Sequence, residues 1–296
     1  MTVPATSANC GPGFDALGLA LELYNEVELT EADGLDVDIN GEGASRLPRD
    51  GQNIVVRGVR LVYDAAGRPF RGLRIRQRNR IPPSRGLGSS ASAWLGGMLG
   101  ANALLGGPLS REAVMELAVQ QEGHPDNLGA ALYGSLAVTC WDGEARVVVT
   151  LPVSPDLRFA VLVPSQEAST AEARAALPAS YSRADAAFNV GRTALLVAVL
   201  ARERWDDLGL AMADRLHQPY RSRVLFPWLS EVFAAARAAG ALGVALSGAG
   251  PSVLAVARRA EADSVARAMR EALGSGGVGL VLAADRQGAR VEEFSD

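Results

Sequence analysis

No stretch of this 296-residue chain restricts its fold as much as residues 82–93, PPSRGLGSSASA, which run directly into WLGGMLGANALL. The two prolines impose an extended approach, Gly86 and Gly88 free the backbone for positive φ, and the serines and alanines that follow open a helix. That helix carries Gly96, Gly97, Gly100 and Ala101, so it is stable only if it packs closely against its neighbours. A glycine loop feeding a helix N-terminus gathers unpaired N–H groups at the positive end of the helix dipole, and a phosphate chain is its natural guest. Ser89, Ser90 and Ser92 add hydroxyls for phosphate oxygens or a hard cation such as Mg²⁺. A Cβ at Gly88 is expected to collide with the bound phosphates. A capped helix after a flexible loop explains such a string equally well when it stands alone.

Two nucleotide-binding patterns are excluded on the same residues. Residues 86–91, GLGSSA, satisfy the G-x-G-x-x-A fingerprint, but Pro82 and Pro83 precede them and no carboxylate occurs before Glu112, whereas that fingerprint needs a buried strand before it and an acidic residue about 20 positions on. A P-loop needs Gly-Lys-Ser/Thr. All 29 basic residues here are arginine, so phosphate charge must be met by backbone N–H groups, arginine and a metal ion.

The length suggests two domains, and the Pro-rich LPVSPD near residue 153 is the expected boundary. A net charge of −4 argues against a nucleic-acid surface. The arginines of GLRIRQRNR, residues 72–80, recur with period two, as on the solvated face of a strand. Cys10 and Cys140 are too few for a disulfide framework, and no apolar run is expected to span a bilayer. A reducing cytoplasm fits this usage.

Along the chain, residues 3–21 read as a glycine-rich loop with Asn9 and Asp15 flanking Gly11-Pro12-Gly13. Alternation at 21–30 and 35–39 predicts two strands of a hairpin or meander. Helical spacing runs over 53–66, where Asn53 is an N-cap or a reader of a base edge. Ser110 caps the next helix, which ends in EGHPDN, residues 122–127, a stretch more polar than a loop requires. Strands are expected at 135–141, 145–151 and 159–164. The second half predicts helices near 186–204 and 229–239, with STAEARAALP at 169–178 and DRLHQPYRSRV at 214–224 as loops or helix ends, then strand, glycine turn, strand, helix and strand between 242 and 284. The turn ALSGAGPSVLAV, residues 245–256, has more glycine than a hairpin needs and is expected to bring backbone amides to a ligand.

Three strings, PATSANCGPGFDALGLAL at the start, PPSRGLGSSASA in the middle and ALSGAGPSVLAV near the end, resemble in order and spacing the three motifs of the GHMP kinases. SAN, GPGFD and EGHPDN are most similar to those of the homoserine kinases within that family. The resemblance implies ATP-dependent phosphorylation of the L-homoserine hydroxyl to O-phospho-L-homoserine, on the route to threonine. It also implies Mg²⁺, a cytoplasmic homodimer, and neither nucleic acid nor membrane as a partner. The implied fold is α+β: an N-terminal GHMP ATP-binding domain, 1–154, with a left-handed βαβ unit, and a ferredoxin-like C-terminal domain, 155–296. By resemblance, Pro83, Ser84, Arg85, Gly86, Leu87, Gly88, Ser89, Ser90 and Ala91 wrap the ATP phosphates and Asn53 lies near adenine. Ser90 and Glu122 hold Mg²⁺, with Glu116 as fallback. Asn9, Asp15, His124 and Asn127 surround homoserine, Asp15 taking the ammonium while Arg174 and Arg221 take the carboxylate. Asn127, Thr170 and Arg174 are the implied catalytic residues, with Thr170 near the transferred phosphoryl group. The general base stays open between Asp126, His124 and none, since a loose phosphoryl transfer asks mainly for positioning. Cys10, Leu128-Gly129-Ala130, Ser135 and Gln120 depart from the family pattern. A nucleotide-binding regulator without turnover, or a kinase of another small alcohol, are the competing readings. The first predicts loss of Glu122 or of the substrate arginines, and both are present.

Overall fold

In a computed structural model, which describes residues 1–142, 144–274 and 276–293, the chain begins as a strand rather than as the expected loop. Strand β1 (Thr2–Ala8) is buried over almost its whole length. Its polar side chains are short enough to be paired in the interior: Thr6 Oγ1 donates to Asn127 Oδ1 at 2.7 Å, and the hydroxyls of Ser7 and Ser247 pair at 2.8 Å.

The first sheet adds β2 (Leu17–Glu31), β3 (Gly34–Gly41), β4 (Gly72–Asn79), β5 (Leu136–Trp141) and β6 (Arg146–Leu151), in the order β3-β4-β2-β5-β6 with β1 on β2. The expected hairpin of β2 with β3 does not form. Instead β4 lies between them, antiparallel to β2 and parallel to β3. Charge explains the choice, because β2 and β3 are both acidic on their exposed faces and β4 is basic. Glu26 and Glu28 face Arg78 and Arg76 at 3.3 and 3.8 Å, and Asp36 faces Arg74 at 3.6 Å. Like charges directly opposite would have destabilised a β2–β3 pair. The arginine run is therefore the solvated face its period suggested, with Leu73 and Ile75 buried beneath.

Four helices cover the other face: α1 (Ile54–Ala65), α2 (Ser89–Leu104), α3 (Arg111–Glu122) and α4 (Asp126–Tyr133). The glycines of α2 are packing residues, as a Cβ on Gly97 would run into the Val55 carbonyl of α1. Helix α4 was not legible in the sequence, where Pro-Asp-Asn reads as a turn. Ser135 holds φ 59° and donates its N–H to the Asp285 carbonyl at 2.6 Å.

The second sheet holds β7 (Leu157–Pro164), β8 (Gly243–Leu246), β9 (Val253–Arg258) and β10 (Gly277–Leu282) in the antiparallel order β10-β7-β9-β8, the strand order of a ferredoxin-like sandwich. Between β7 and β8 come α5 (Thr170–Ala175), α6 (Arg183–Ala201), α7 (Leu208–Ala211), α8 (Gln218–Val224) and α9 (Leu229–Ala238). Helix α10 (Ala262–Leu273) follows β9. One apolar cluster joins Leu17 and Leu21 of the first sheet to Phe159, Val161 and Leu254 of the second, so the two sheets share a core. The chain then returns to the first sheet through the bridges Leu21 to Ala284 and Thr2 to Arg290.

Among the described residues one helix is long and apolar enough for a bilayer by length and composition, although Arg192 breaks its apolar run. Helix α6 has 19 residues, and an 18-residue window of it has a mean hydropathy of 1.4. Its alanines hide this from a reading based on large apolar side chains. Inside the fold it instead carries buried Asn189, whose Nδ2 donates to the carbonyl of Pro12 at 3.1 Å and so braces the first glycine loop.

Candidate active site

The three motifs converge on one cleft of about 230 Å³. One side of it is built by the 82–93 segment. Gly88 is the N-cap of α2 at φ 69°, without a side-chain cap, so the first N–H groups of α2 stay open toward the cleft. Ser90 Oγ donates to Glu122 Oε2 at 2.8 Å, which brings the expected metal pair together from α2 and the end of α3. Burial raises the Glu122 pKa above its usual range, against the Ser90 hydrogen bond and the His124 charge, and Asp126 adds to the rise. Glu116 lies elsewhere, 3.0 Å from Arg146 Nε, and is not part of the cleft wall.

Ser84, Arg85, Gly86, Leu87, Ser89 and Ser90 line the cleft. Pro83 and Ala91 do not, and Ala91 is in the core. Arg85 is not free to meet phosphate charge: its Nη1 is 2.9 Å from Glu167 Oε1, and Nε and Nη2 donate to the carbonyls of Pro164 and Ser165. Of the two readings given to Asn53, the structure shows the N-cap. It is buried, accepts the Val55 N–H and the Gln77 amide, and donates to Pro48 O at 2.7 Å. It therefore caps α1 and lies outside the cleft wall. The carbonyl of Gly86 faces Ser247, whose hydroxyl donates to it at 2.7 Å, so the third motif packs against the 82–93 loop as well as lining the cleft. Gly88 likewise abuts protein: a Cβ there would run into Thr6 Oγ1.

The opposite side of the cleft is a charge cluster. Asp15 and Arg174 form a two-pronged pair, Nη2 to Oδ1 at 2.8 Å and Nη1 to Oδ2 at 3.0 Å, where the sequence reading had given each a separate substrate group. Arg221 is buried, and burial, with Arg174 beside it, pulls its pKa down to about 10, still cationic at neutral pH. The ring of Phe14 lies 5.7 Å from both guanidinium carbons. Asn9 ties the wall together, donating to Gly248 O at 2.9 Å and accepting the Asp15 N–H at 3.1 Å.

Between the two sides stand His124, Asp126 and Asn127. Asp126 Oδ1 lies 2.7 Å from His124 Nδ1 and accepts the Asn127 N–H at 2.7 Å. Burial lowers the His124 pKa, but the Asp126 hydrogen bond and charge, with Glu122 and Asp15, outweigh it, and the net shift is upward. Thr170, exposed at the start of α5, completes the rim. Phe14, His217 and the Gly248 carbonyl belong to this cluster and were not singled out in the sequence. Phe14 sits inside the GPGFD motif and His217 inside HQPYR, so both lay in flagged strings, but an aromatic or a lone histidine there has no legible partner.

Residues 53–135 match the family model of the GHMP kinases N terminal domain, and residues 196–275 match GHMP kinases C terminal. The homoserine kinase of Moorella thermoacetica is 46% identical over 256 residues, 86% of either chain. That of Desulfitobacterium hafniense is 42% identical over 295 residues, 98% of either chain. Among solved structures, a homoserine kinase from Cytophaga hutchinsonii superposes with a TM-score of 0.87 at 30% identity, covering 97% of this chain and 95% of that one. A mevalonate kinase from L. major at 19% identity, with a TM-score of 0.75 over 97% of this chain and 96% of that one, shares the fold. Both halves of the family pattern occur in their order on a chain that matches such relatives over most of its length, and the chain belongs to the homoserine kinases of the GHMP kinase family.

Proposed function

We propose that the protein transfers the γ-phosphoryl group of ATP to the side-chain hydroxyl of L-homoserine. The observation that carries this reading is that one cleft is lined both by an anion-receptive helix N-terminus and by a cluster of one carboxylate and two guanidinium groups, of which Arg221 is buried. The first suits a phosphate chain and the second a small zwitterion. With Arg85 held by Glu167, phosphate charge falls to the N–H groups of α2 and to Mg²⁺. The donor set fits that ion: a serine hydroxyl and a buried carboxylate are hard oxygens, and Mg²⁺ in phosphoryl-transfer sites takes few protein ligands beside substrate phosphates. Ser90 and Glu122 would hold it, and bound there it neutralises charge on the phosphate oxygens.

The zwitterion enters the Asp15–Arg174 pair, Asp15 meeting the ammonium and the two arginines the carboxylate. Arg174→Leu is expected to lower kcat/KM for homoserine by roughly 10- to 150-fold, from the loss of about 1.5–3 kcal/mol of charge-assisted bonding. Affinity for ATP stays unchanged. Retained efficiency in Arg174→Leu, with homoserine methyl ester used as well as the acid, would remove the carboxylate from the reading.

Asp126 is occupied by His124 and Asn127, so it orients; His124, whose Nδ1 is turned to Asp126, keeps Nε2 for the substrate proton. Because the net shift of His124 is above its ordinary value of 6.5, the acid limb of the kcat/KM profile should lie above that value, with activity falling as the ring protonates. His124→Asn should abolish that limb and lower kcat about 10²-fold. An unaltered profile would return the step to positioning alone.

The reading is tested by ADP release from Mg·ATP with homoserine, mevalonate, galactose and a buffer blank. Turnover confined to homoserine is expected. Turnover with another alcohol only, or none above the blank, would overturn it. A cytoplasmic homodimer belongs to the same reading, and sedimentation mass decides the oligomer.

A further inference from the structure

Arg221 is 2% exposed and forms no ion pair among the described residues, Asp15 being taken by Arg174. What holds it is neutral. Nε donates to Ala173 O at 3.2 Å, and Nη1 donates to Gly248 O at 3.0 Å and to His217 Nδ1 at 3.1 Å. Nη2 has no partner among the described residues, so the buried guanidinium keeps that edge for the cleft it lines. An unpaired cation of this kind is costly unless an anion arrives.

The geometry around His217 leaves one protonation state. Its Nε2 is 2.7 Å from the Gly11 carbonyl, which only accepts, so Nε2 carries the hydrogen. Nδ1 then has a lone pair facing Arg221. An imidazolium would set two donors against each other there. Burial, with Arg221, holds the ring well below its usual pKa, against the opposing pull of Asp214. Asp214 lies 3.6 Å from Nε2, but its oxygens accept the Leu216, His217 and Gln218 N–H groups and the Asn189 amide. The ring is stacked on Phe14 at 5.4 Å, so it cannot rotate freely.

We infer that His217 is a positioning residue: as a neutral Nε2–H imidazole it fixes the rotation of Arg221 without spending its charge, leaving Nη2 to receive the substrate carboxylate. A carboxylate at position 217 would hold Arg221 more tightly but would cancel the charge that selects an anion. A neutral acceptor orients and leaves the charge available. This rests on the homoserine reading for the identity of the carboxylate, but not for the state of the ring.

The test combines kinetics with ring spectroscopy. His217→Phe keeps an aromatic ring against Phe14 and removes the acceptor; His217→Gln restores a neutral acceptor. Each is made alone and with Arg221→Leu, and KM for homoserine, KM for ATP and kcat are measured. His217→Phe should raise KM for homoserine about tenfold with KM for ATP unchanged, His217→Gln should recover most of this, and His217→Phe should add nothing in the Arg221→Leu background. Additive losses, or a parallel rise in both KM values, would mark His217 as merely structural and overturn the inference. The chain has only two histidines, so their ¹⁵N ring signals are assignable with His124→Asn. His217 should stay neutral and Nε2-protonated from pH 6 to 8, with an Nδ1 shift that moves in Arg221→Leu. A charged or Nδ1-protonated ring overturns the inference whatever the substrate, whereas failure of wild type on homoserine with this ring state intact overturns only the substrate.

Discussion

Gly88→Val is expected to cost several kcal/mol of stability together with nucleotide affinity. The residue caps α2 at φ 69°, where a β-branched side chain is strained by about 1–3 kcal/mol. A Cβ there collides with Thr6 Oγ1 and lies 3.2 Å from Asn127 Oδ1, so the 2.7 Å bond between those side chains must break. Leaving such buried groups unpaired costs about 1–3 kcal/mol. Against a total stability of about 5–15 kcal/mol, the melting temperature should fall by roughly 10 °C. The sequence reading had the Cβ colliding with phosphate. In the fold it collides first with β1, so stability and affinity fall together. Thr6→Ala in the Gly88→Val background should recover part of the melting temperature. Wild-type melting with weakened ATP binding alone would show that the phosphate is the sole reason for glycine.

Glu122→Gln should lower kcat by about 10²–10³-fold and raise the Mg²⁺ concentration needed for half-maximal turnover. It preserves shape, and the Ser90 hydroxyl keeps an acceptor. Stability should move the other way. The folded protein holds Glu122 above its ordinary pKa of 4.5, so it binds that proton more readily than the unfolded chain does. The cost of ionising the carboxylate is therefore absent below 4.5 and fully present once pH has risen through the folded value. At neutral pH without Mg²⁺ the amide variant should melt no lower than wild type and is expected to melt higher, and the stabilisation of wild type by Mg·ADP should be reduced in it. An unchanged Mg²⁺ titration would remove Glu122 from the metal site. A cold-shifted melt without metal would show that the carboxylate serves the fold instead.

The sequence by itself determined the elements whose signals are local. Alternation of Leu73 and Ile75 with arginines specifies β4 because a strand's faces alternate every residue, and Ser110 and Asn53 cap helices because their side chains reach N–H groups two or three residues on. The three glycine-rich strings identified the family for the same reason: loop geometry and helix capping are written in neighbouring residues. Partners distant in sequence were not legible. The pairing of β3 with β4 depends on the charges of three strands, and the burial of Thr6 and Ser7 depends on Asn127 and Ser247. Asn53 is held by Gln77 and Pro48 besides capping its helix, and Arg85 by Glu167, partners that neither position announced. Arg174 meets Asp15 across 159 residues and Arg221 meets His217 within one helical turn, yet only folding reveals that the first pair is ionic and the second holds a cation with a neutral ring. A side chain's chemistry belongs to its type, but whether that chemistry is free for a ligand is decided by what the tertiary structure places within hydrogen-bonding distance.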